Sequence, residues 1–197
     1  MKLLPASGHK RMPWKNGGGE TIEISVFPDG ASLSEFDWRM SMATVASDGP
    51  FSSFPGIDRT LSILEGNGMT LLIEGRNPAR LTEADAPLAF PADVATSATL
   101  IDGTIVDLNV MTRRGKLVHR VRRLAIEGER SLTSEAATAM LFCHRGAATL
   151  IGNGQTMVLS AGDALMLSGP LAATIKAPAP CELFFIEIDP SQGRLTP

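Results

Sequence analysis

The sequence contains little cysteine and little histidine, and these shortages exclude several kinds of site. Only two of the 197 residues are cysteines, Cys143 and Cys181, and neither has neighbours at the spacing of a zinc site. We expect both to be buried free thiols, the alternative being a disulfide. The three histidines, His9, His119 and His144, form no ligand-spaced pair, and there is no Gly-x-Ser-x-Gly elbow. A catalytic triad is therefore not indicated.

Long apolar runs and excess positive charge are also lacking. The longest apolar runs span only a few residues, and the N-terminus lacks the apolar stretch and cleavage site of a signal peptide. The net charge of -3 and the isoelectric point near 5.6 give no attraction to nucleic acid or anionic lipid. We expect a cytoplasmic protein that has neither nucleic acid nor a membrane as a partner.

Most of the sequence consists of short stretches in which apolar and polar residues alternate. Turn-forming residues interrupt them about every 8–12 residues, a pattern typical of β-sandwiches and β-barrels. We therefore predict an all-β fold with little helix. The predicted strands are Thr21–Phe27, Trp38–Val45, Arg59–Leu64, Met69–Ile73, Ile105–Thr112, Leu117–Ile126, Met140–Cys143, Ala147–Ile151, Thr156–Leu159, Ala164–Leu167 and Leu183–Ile188.

An internal repeat organises these strands. The segment Leu61–Ile73 is echoed by Leu141–Ile151, and each copy reads as a strand, a glycine turn and a second strand. Each copy then leads to a turn that contains an aspartate, Asp93 in the first and Asp163 in the second. The repeat predicts two copies of one barrel unit, with lobes at 1–115 and 116–197.

A segment rich in cations lies between the copies. It contains no aromatic residue for base stacking, and Glu127 and Glu129 dilute its charge. We interpret it as a solvated edge strand or a strand between the barrels, since charged side chains commonly protect sheet edges. Edge strands of this kind also allow a homodimer. The cations are Arg113, Arg114, Lys116, Arg120, Arg122, Arg123 and Arg130.

The second copy resembles the cupin signature. Gly154 is followed by five residues and then by the turn Ser160–Asp163, where cupins have a glycine, five residues and a Pro-x-Gly turn. Metal-binding cupins also place a glutamate seven residues before the glycine that ends the strand. Counting back from Gly66 and Gly146 gives Arg59 and Ala139 instead.

The histidine positions of a metal-binding cupin are also altered. The paired histidines are replaced by Ser52 and Phe54 in the first copy, and the second copy has no histidine there. The third histidine is replaced by Ala95 in the first copy and by Leu165 in the second. We therefore expect neither a metal nor another cofactor.

The first half of the chain resembles the HutD/Ves family. The resemblance implies a bicupin of two RmlC-like jelly-roll lobes and a regulatory part in bacterial histidine utilisation, with urocanate or formylated glutamate as ligand. One departure is Ala92, where the family usually has a glycine. The matching segments, in order, are Pro13–Gly19, Thr21–Ile24, Phe36–Ser41, Gly49–Ser52, Asp58–Arg59 and Asp107–Met111.

Arg59 is the central candidate for ligand binding. Strand parity places it on one face with Leu61 and Ile63, and the cupin glutamate at this position points inward. A guanidinium matches a carboxylate in a bidentate fork, so an arginine at the metal position indicates an anion site. The alternative is an internal ion pair with Asp58 or with an acidic side chain inside the protein, such as Glu23.

Other polar residues in the first half accompany Arg59. Arg39 and Ser41 share one strand face, for which an ordinary solvent face is the alternative. A glycine-rich segment, residues 14–19, is either a loop over the barrel mouth or a structural turn. The predicted ligand-binding residues are Trp14, Asn16, Glu23, Arg39, Ser41, Phe54, Arg59, Asn109 and Met111.

Three functions follow from this interpretation. The leading one is binding of a small carboxylate in the first lobe for a regulatory or sequestering purpose, with the second lobe as scaffold. The first alternative is a cofactor-free isomerase or hydrolase acting on a small carboxylic acid, with Glu23 as general base. The second is a structural or partner-binding protein. We favour binding over catalysis, because the sequence offers cationic anchors but no nucleophile with a recognisable base.

Overall fold

The computed structural model describes residues 1–14 and 17–191, and this part of the chain is almost entirely β-structure. Its one helix is a single 3-10 turn, Ala6–Gly8, which confirms the predicted all-β fold. No helix among these residues is long and apolar enough to cross a bilayer. The strands are β1 (Lys2–Leu4), β2 (Lys10–Pro13), β3 (Gly19–Phe27), β4 (Trp38–Val45), β5 (Gly49–Pro50), β6 (Ile57–Glu65), β7 (Met69–Ile73), β8 (Ala79–Leu81), β9 (Leu88–Pro91), β10 (Thr96–Leu100), β11 (Ile105–Arg113), β12 (Leu117–Ser134), β13 (Thr138–Arg145), β14 (Ala147–Gly152), β15 (Gln155–Ser160), β16 (Ala164–Ser168) and β17 (Leu171–Pro190).

The chain divides into two compact units. The N-terminal unit is Lys10–Val118, and the C-terminal unit combines Met1–His9 with His119–Pro197. The first nine residues belong to the C-terminal unit because β1 pairs antiparallel with β16. In this respect the grouping differs from the predicted lobes, 1–115 and 116–197.

The N-terminal unit contains two antiparallel sheets. Six strands form the order β2-β3-β4-β11-β6-β9, and four form the order β5-β10-β7-β8. Leu61 and Ile63 of the larger sheet share one buried cluster with Met69 and Leu71 of the smaller sheet. The two sheets therefore pack face to face, and alternate residues of β6 point between them.

The C-terminal unit contains a seven-stranded sheet in which β12 joins the order β1-β16-β13-β17-β14-β15 through β17. Among its described residues, the buried polar side chains are those of Ser134 and His144. The members of its buried apolar cluster are Leu124, Ile126, Leu132, Ala139, Leu141, Cys143, Ala148, Leu150, Leu159, Leu165, Leu167, Leu171, Ile175, Ala177, Cys181, Leu183 and Phe185. The two cysteines are free and buried, as predicted.

The sequence repeat corresponds to matching turns in the two units. Gly66 follows β6 and Gly146 follows β13, with φ angles of 90° and 80°. A Cβ atom on Gly66 would lie 2.6 Å from Thr104 O, and one on Gly146 would lie 2.7 Å from Pro180 O. Both turns therefore require glycine. The departure at Ala92 has no such cost, because Ala92 is not among the residues with positive φ.

Candidate functional site

The candidate site lies on the inner face of the six-stranded sheet, where β4, β11 and β6 run side by side. Arg39 of β4 lies opposite Met111 of β11, and Met111 lies opposite Arg59 of β6. The next row on the same face pairs Ser41 with Asn109. Because residues two apart share a face, these side chains point toward the same space between the sheets.

Glu23 and Ser41 hold the side chain of Arg39. Arg39 Nε donates a hydrogen bond to Glu23 Oε2 over 2.7 Å, and Nη1 donates one to Ser41 Oγ over 3.1 Å. Arg39 is 4% exposed and Ser41 2% exposed, so the alternative of an ordinary solvent face is wrong. The ion pair neutralises both charges inside the unit.

Asp107 and Asn109 form a second polar pair on β11. Asn109 Nδ2 donates a hydrogen bond to Asp107 Oδ1 over 2.6 Å, and both residues are buried. Burial raises the pKa of Asp107 to about 7, against the opposing effects of the Arg59 charge and the hydrogen bonds from Asn109 and Ala43. Burial therefore shifts the titration of this carboxyl group toward neutral pH.

Arg59 is buried between aromatic rings. It is 5% exposed, and its Cζ lies 5.2 Å from the ring centroid of Phe51, 5.4 Å from that of Phe54 and 5.8 Å from that of Phe90. Burial lowers the pKa of Arg59 to about 10, and the charge of Arg39 adds to this while Asp107 opposes it. The guanidinium is therefore a charged group at neutral pH, in contact mainly with phenyl rings.

The hydrogen bonding of Arg59 is incomplete. Its Nε is buried and has no hydrogen-bond partner within the part of the chain that the structure describes. Of the internal acids considered for Arg59, Glu23 pairs with Arg39 and Asp58 pairs with Arg114 over 2.8 Å. The buried carboxyl group of Asp107 acts on Arg59 electrostatically. A buried charged donor without an acceptor is costly, and such a group in a native protein calls for a ligand or another explanation.

Trp14 packs beside strand β3. Its Nε1 donates a hydrogen bond to Thr21 Oγ1 over 2.8 Å, and its ring packs against the core of the N-terminal unit. Gly19 admits the indole, because a Cβ there would lie 3.0 Å from the ring and 2.0 Å from Thr44 O. The predicted site residue Asn16 lies outside the described residues.

Phe54 and Met111 form the apolar side of the site. Both belong to a small cluster with Phe36, Ile57 and Ala92. Phe54 also contacts the guanidinium of Arg59, so it links this cluster to the charged group. The structure thus brings seven of the nine predicted residues to one region, and Trp14 packs into the core of the same unit.

Sequence reasoning missed three residues of the site. Asp107 has the same strand parity as Asn109 and Met111, so parity was a signal that could have identified it. Phe90 reaches Arg59 because β9 pairs with β6 and sets the two residues opposite each other. Phe51 reaches it from the loop after β5. No local pattern in the sequence indicates either of these two contacts.

The residues at the cupin metal positions do not fit a metal ion. Arg59 carries a positive charge, and Phe54 and Ala95 offer no side-chain donor atom. Within residues 1–14 and 17–191, no three His, Cys, Asp or Glu side chains are grouped so as to hold a metal. The donor set of this site is instead suited to an anion.

The sequence of the chain matches a known protein family. The model of the HutD family matches residues 6–185. This chain belongs to the HutD family. The membership confirms the resemblance predicted from the motifs between Pro13 and Arg114, and it extends the resemblance through both units.

Two curated relatives support this membership. A 21.2 kDa uncharacterized protein in the hutC 3' region of Pseudomonas putida is 39% identical over 142 residues, which cover 72% of this chain and 73% of that protein. The protein Ves of Citrobacter koseri is 41% identical over 118 residues, which cover 57% of this chain and 60% of Ves.

Solved structures agree in fold. The conserved protein PA5104 from Pseudomonas aeruginosa PAO1 superposes with a TM-score of 0.89 at 35% identity, covering 95% of this chain and 98% of that one. HutD from Pseudomonas fluorescens SBW25, in a formate condition, gives 0.76 at 31% identity, covering 96% and 98%. A cupin 2 conserved barrel domain protein from Leptotrichia buccalis gives 0.57 at 15% identity, covering 86% and 88%, and this supports a cupin-like fold alone.

Proposed function

We propose that this HutD-family protein is a double cupin that binds a small carboxylate in its N-terminal unit, with Arg59 as the anchoring cation. The observation that carries the proposal is the state of Arg59, which is buried, charged and without an acceptor for Nε among the described residues. A carboxylate would supply the missing acceptor for Nε and would bind a second N–H of the guanidinium in a bidentate geometry.

The neighbouring groups support the same ligand. Ser41 and Asn109 lie on the same face as Arg59, and a hydroxyl and an amide can orient a carboxylate or a polar group beyond it. The phenyl rings provide the apolar walls that small-molecule sites combine with a few polar groups. The ion pair between Glu23 and Arg39 leaves Arg59 as the cation with capacity for a ligand.

The relatives suggest the biological setting. One lies in a hutC 3' region and another is named HutD, and these names support our proposal that this protein acts in histidine utilisation. We propose that it does so in the cytoplasm. Its ligand would be a pathway acid of the urocanate or formylglutamate type. Binding without turnover would sequester or sense that acid, which is a regulatory role.

Calorimetric titration tests the proposal. We expect urocanate or formylglutamate to bind the wild-type protein, and Arg59→Gln to weaken binding by about 2–5 kcal/mol, the usual cost of truncating one partner of a buried charge pair. Arg80→Gln is the matched control, because Arg80 is exposed on β8. Folded wild-type protein that binds neither acid would refute the proposal.

A cofactor-free enzyme is the second candidate, and the state of Asp107 favours it. A buried carboxyl group with a pKa of about 7 beside a cation is suited to move protons at neutral pH. Glu23, the base considered from sequence, is instead held in an ion pair with Arg39. Turnover of a bound acid that disappears in Asp107→Asn while binding persists would select the enzyme.

A further inference from the structure

We infer that Cys143 and Cys181 form a site of covalent modification, at which a hydroperoxide oxidises the two thiols to an intramolecular disulfide. The site lies in the core of the C-terminal unit. It is independent of the proposed carboxylate site, which lies in the N-terminal unit. The inference follows from the contact between the two sulfur atoms and from the residues at the matching positions of the N-terminal unit.

The two sulfur atoms are in contact. Cys143 Sγ and Cys181 Sγ lie 4.0 Å apart, and both side chains belong to the buried cluster of the C-terminal unit. Strands β13 and β17 hold them together, because Cys143 lies opposite Leu183, two positions along β17 from Cys181. A disulfide has an S–S distance of about 2 Å, so the sulfurs must approach by roughly 2 Å. We expect rotation of the two side chains to close this distance while the strands stay paired.

The turn at Gly146 contacts both cysteines. Cys143 Sγ donates weak hydrogen bonds to the carbonyl oxygens of Arg145 and Gly146, over 3.8 and 3.6 Å. A Cβ atom on Gly146 would lie 3.1 Å from Cys181 Cα and 3.3 Å from Cys181 Cβ. The same short piece of backbone therefore fixes the position of both side chains.

The N-terminal unit shows that this place in the core does not require thiols. A Cβ atom on Gly66 would lie 3.1 Å from Ile105 Cα, the same distance as in the turn at Gly146. In the repeat, Ile63 takes the place of Cys143. The two isoleucines are 1% and 0% exposed and share one apolar cluster. Since an aliphatic pair fills the place equally well, packing alone does not explain why the only two cysteines of the chain meet there.

Cys181 is the thiol that an oxidant reaches first. It is 4% exposed and follows the exposed residues 178–180, whereas Cys143 is 0% exposed. Burial raises the pKa of both thiols, that of Cys143 to about 12. Because the thiolate is the reactive form, we expect the pair to react more slowly than an exposed cysteine.

The reaction balances with a hydroperoxide, ROOH, as the oxidant. Cys181 Sγ attacks the terminal oxygen, the O–O bond breaks, and a sulfenic acid forms while the thiol proton leaves with the alcohol ROH. Cys143 Sγ then attacks the sulfur of the sulfenic acid, so that the S–S bond forms and the S–O bond breaks with release of water. Each sulfur loses one electron, and the peroxide gains both.

Oxidation of the folded wild-type protein by tert-butyl hydroperoxide tests the site. After this treatment and unfolding in urea, we expect iodoacetamide to alkylate neither cysteine, and a non-reducing digest to contain the cross-linked peptides of Cys143 and Cys181. The untreated protein should be alkylated at both cysteines. The oxidised protein should have a Tm higher by about 5 °C or more, because the cross-link closes a long loop in the unfolded chain.

Three outcomes would overturn the inference. The first is that both thiols of the treated, folded protein are still alkylated, with protein treated in urea as the control for the oxidant. The second is a disulfide between two chains, or higher oxidation of either sulfur in place of the cross-link. The third is a cross-link that lowers the Tm, since the native geometry would then oppose it.

Variants with one cysteine test the order of the two steps. In Cys143→Ala, the sulfenic acid of Cys181 has no thiol partner, so dimedone, which traps sulfenic acids, should label it. In Cys181→Ala, we expect at least tenfold less label on Cys143, because that thiol is fully buried. Equal labelling of the two folded variants would contradict the order. If either variant fails to fold, the wild-type measurement still decides whether the disulfide forms.

Discussion

The two units place different residues at matching positions. Arg59 lies seven residues before Gly66, and Ala139 lies seven residues before Gly146. On the neighbouring strand, Asn109 lies opposite Leu61, whereas the residue opposite Leu141 is Phe185. Asp107 lies opposite Ile63, and its counterpart Leu183 lies opposite Cys143.

The difference shows that an interior without buried Asp, Glu, Lys or Arg is sufficient for such a unit to fold. Among the described residues of the C-terminal unit, no Asp, Glu, Lys or Arg is buried, so this unit forms its buried core without one. Buried charges cost free energy of desolvation unless they are fully paired. Under the function proposed above, the cation and carboxyl groups of the N-terminal unit serve binding rather than stability.

The largest expected effect on stability comes from introducing a carboxyl group into the C-terminal unit at Leu183, the position that matches Asp107. Leu183→Asp should lower the free energy of unfolding by about 4 kcal/mol or more, because a carboxyl group would enter an apolar cluster without a partner. Urea denaturation measures the change. Val158→Asp is the control, since Val158 is 60% exposed on β15. A Leu183→Asp variant as stable as the wild type would contradict the contrast between the two interiors.

The next effect is the pH dependence that Asp107 gives to the N-terminal unit. Its pKa rises from 3.8 to about 7 on folding, so the native state holds more protons than the unfolded state between these values. Stability should then fall as pH rises from 5 to 7, by up to about 1.4 kcal/mol per pH unit. Urea denaturation at several pH values measures this slope.

The Asp107→Asn variant isolates that contribution, because it cannot ionise and should lose the slope that Asp107 provides. Asp93→Asn is the control: Arg114 holds the pKa of Asp93 near 2, so its titration lies below this window. If wild type and Asp107→Asn show the same slope between pH 5 and 7, the buried carboxyl group has an ordinary pKa.

The smallest effect concerns packing at an apolar position that the two units share. Ile63 and Cys143 occupy matching places in the repeat and are both 0% exposed. Ile63→Val and Cys143→Ala should each cost about 1 kcal/mol, since each removes one buried heavy atom. Thermal unfolding compares the two variants. A negligible cost for Ile63→Val alone would indicate that the polar interior is the more loosely packed one.

The sequence predicted strands well where alternation was clear and poorly elsewhere. Trp38–Val45 and Met69–Ile73 are strands with the predicted bounds. Strand β17 was predicted only over Leu183–Ile188, yet it runs over Leu171–Pro190 and includes Pro178 and Pro180. Prolines ordinarily end strands, so a long strand that contains them is recognised only from its partners.

The contacts of the candidate site were likewise predicted only where they follow from the pattern of a single strand. Parity along single strands was enough to group Arg39 with Ser41, and Asn109 with Met111. The ion pair between Glu23 and Arg39 depends instead on the register of β3 against β4, which shifts at an irregularity between Glu23 and Ser25. Contacts between strands depend on register and twist, which a single strand's pattern does not encode.

A crystal structure of the protein with bound urocanate tests the central claim most directly. We expect the carboxylate oxygens to lie about 3 Å from guanidinium nitrogens of Arg59. A carboxylate bound elsewhere on the molecule, with Arg59 still surrounded only by its phenyl rings, would contradict the account.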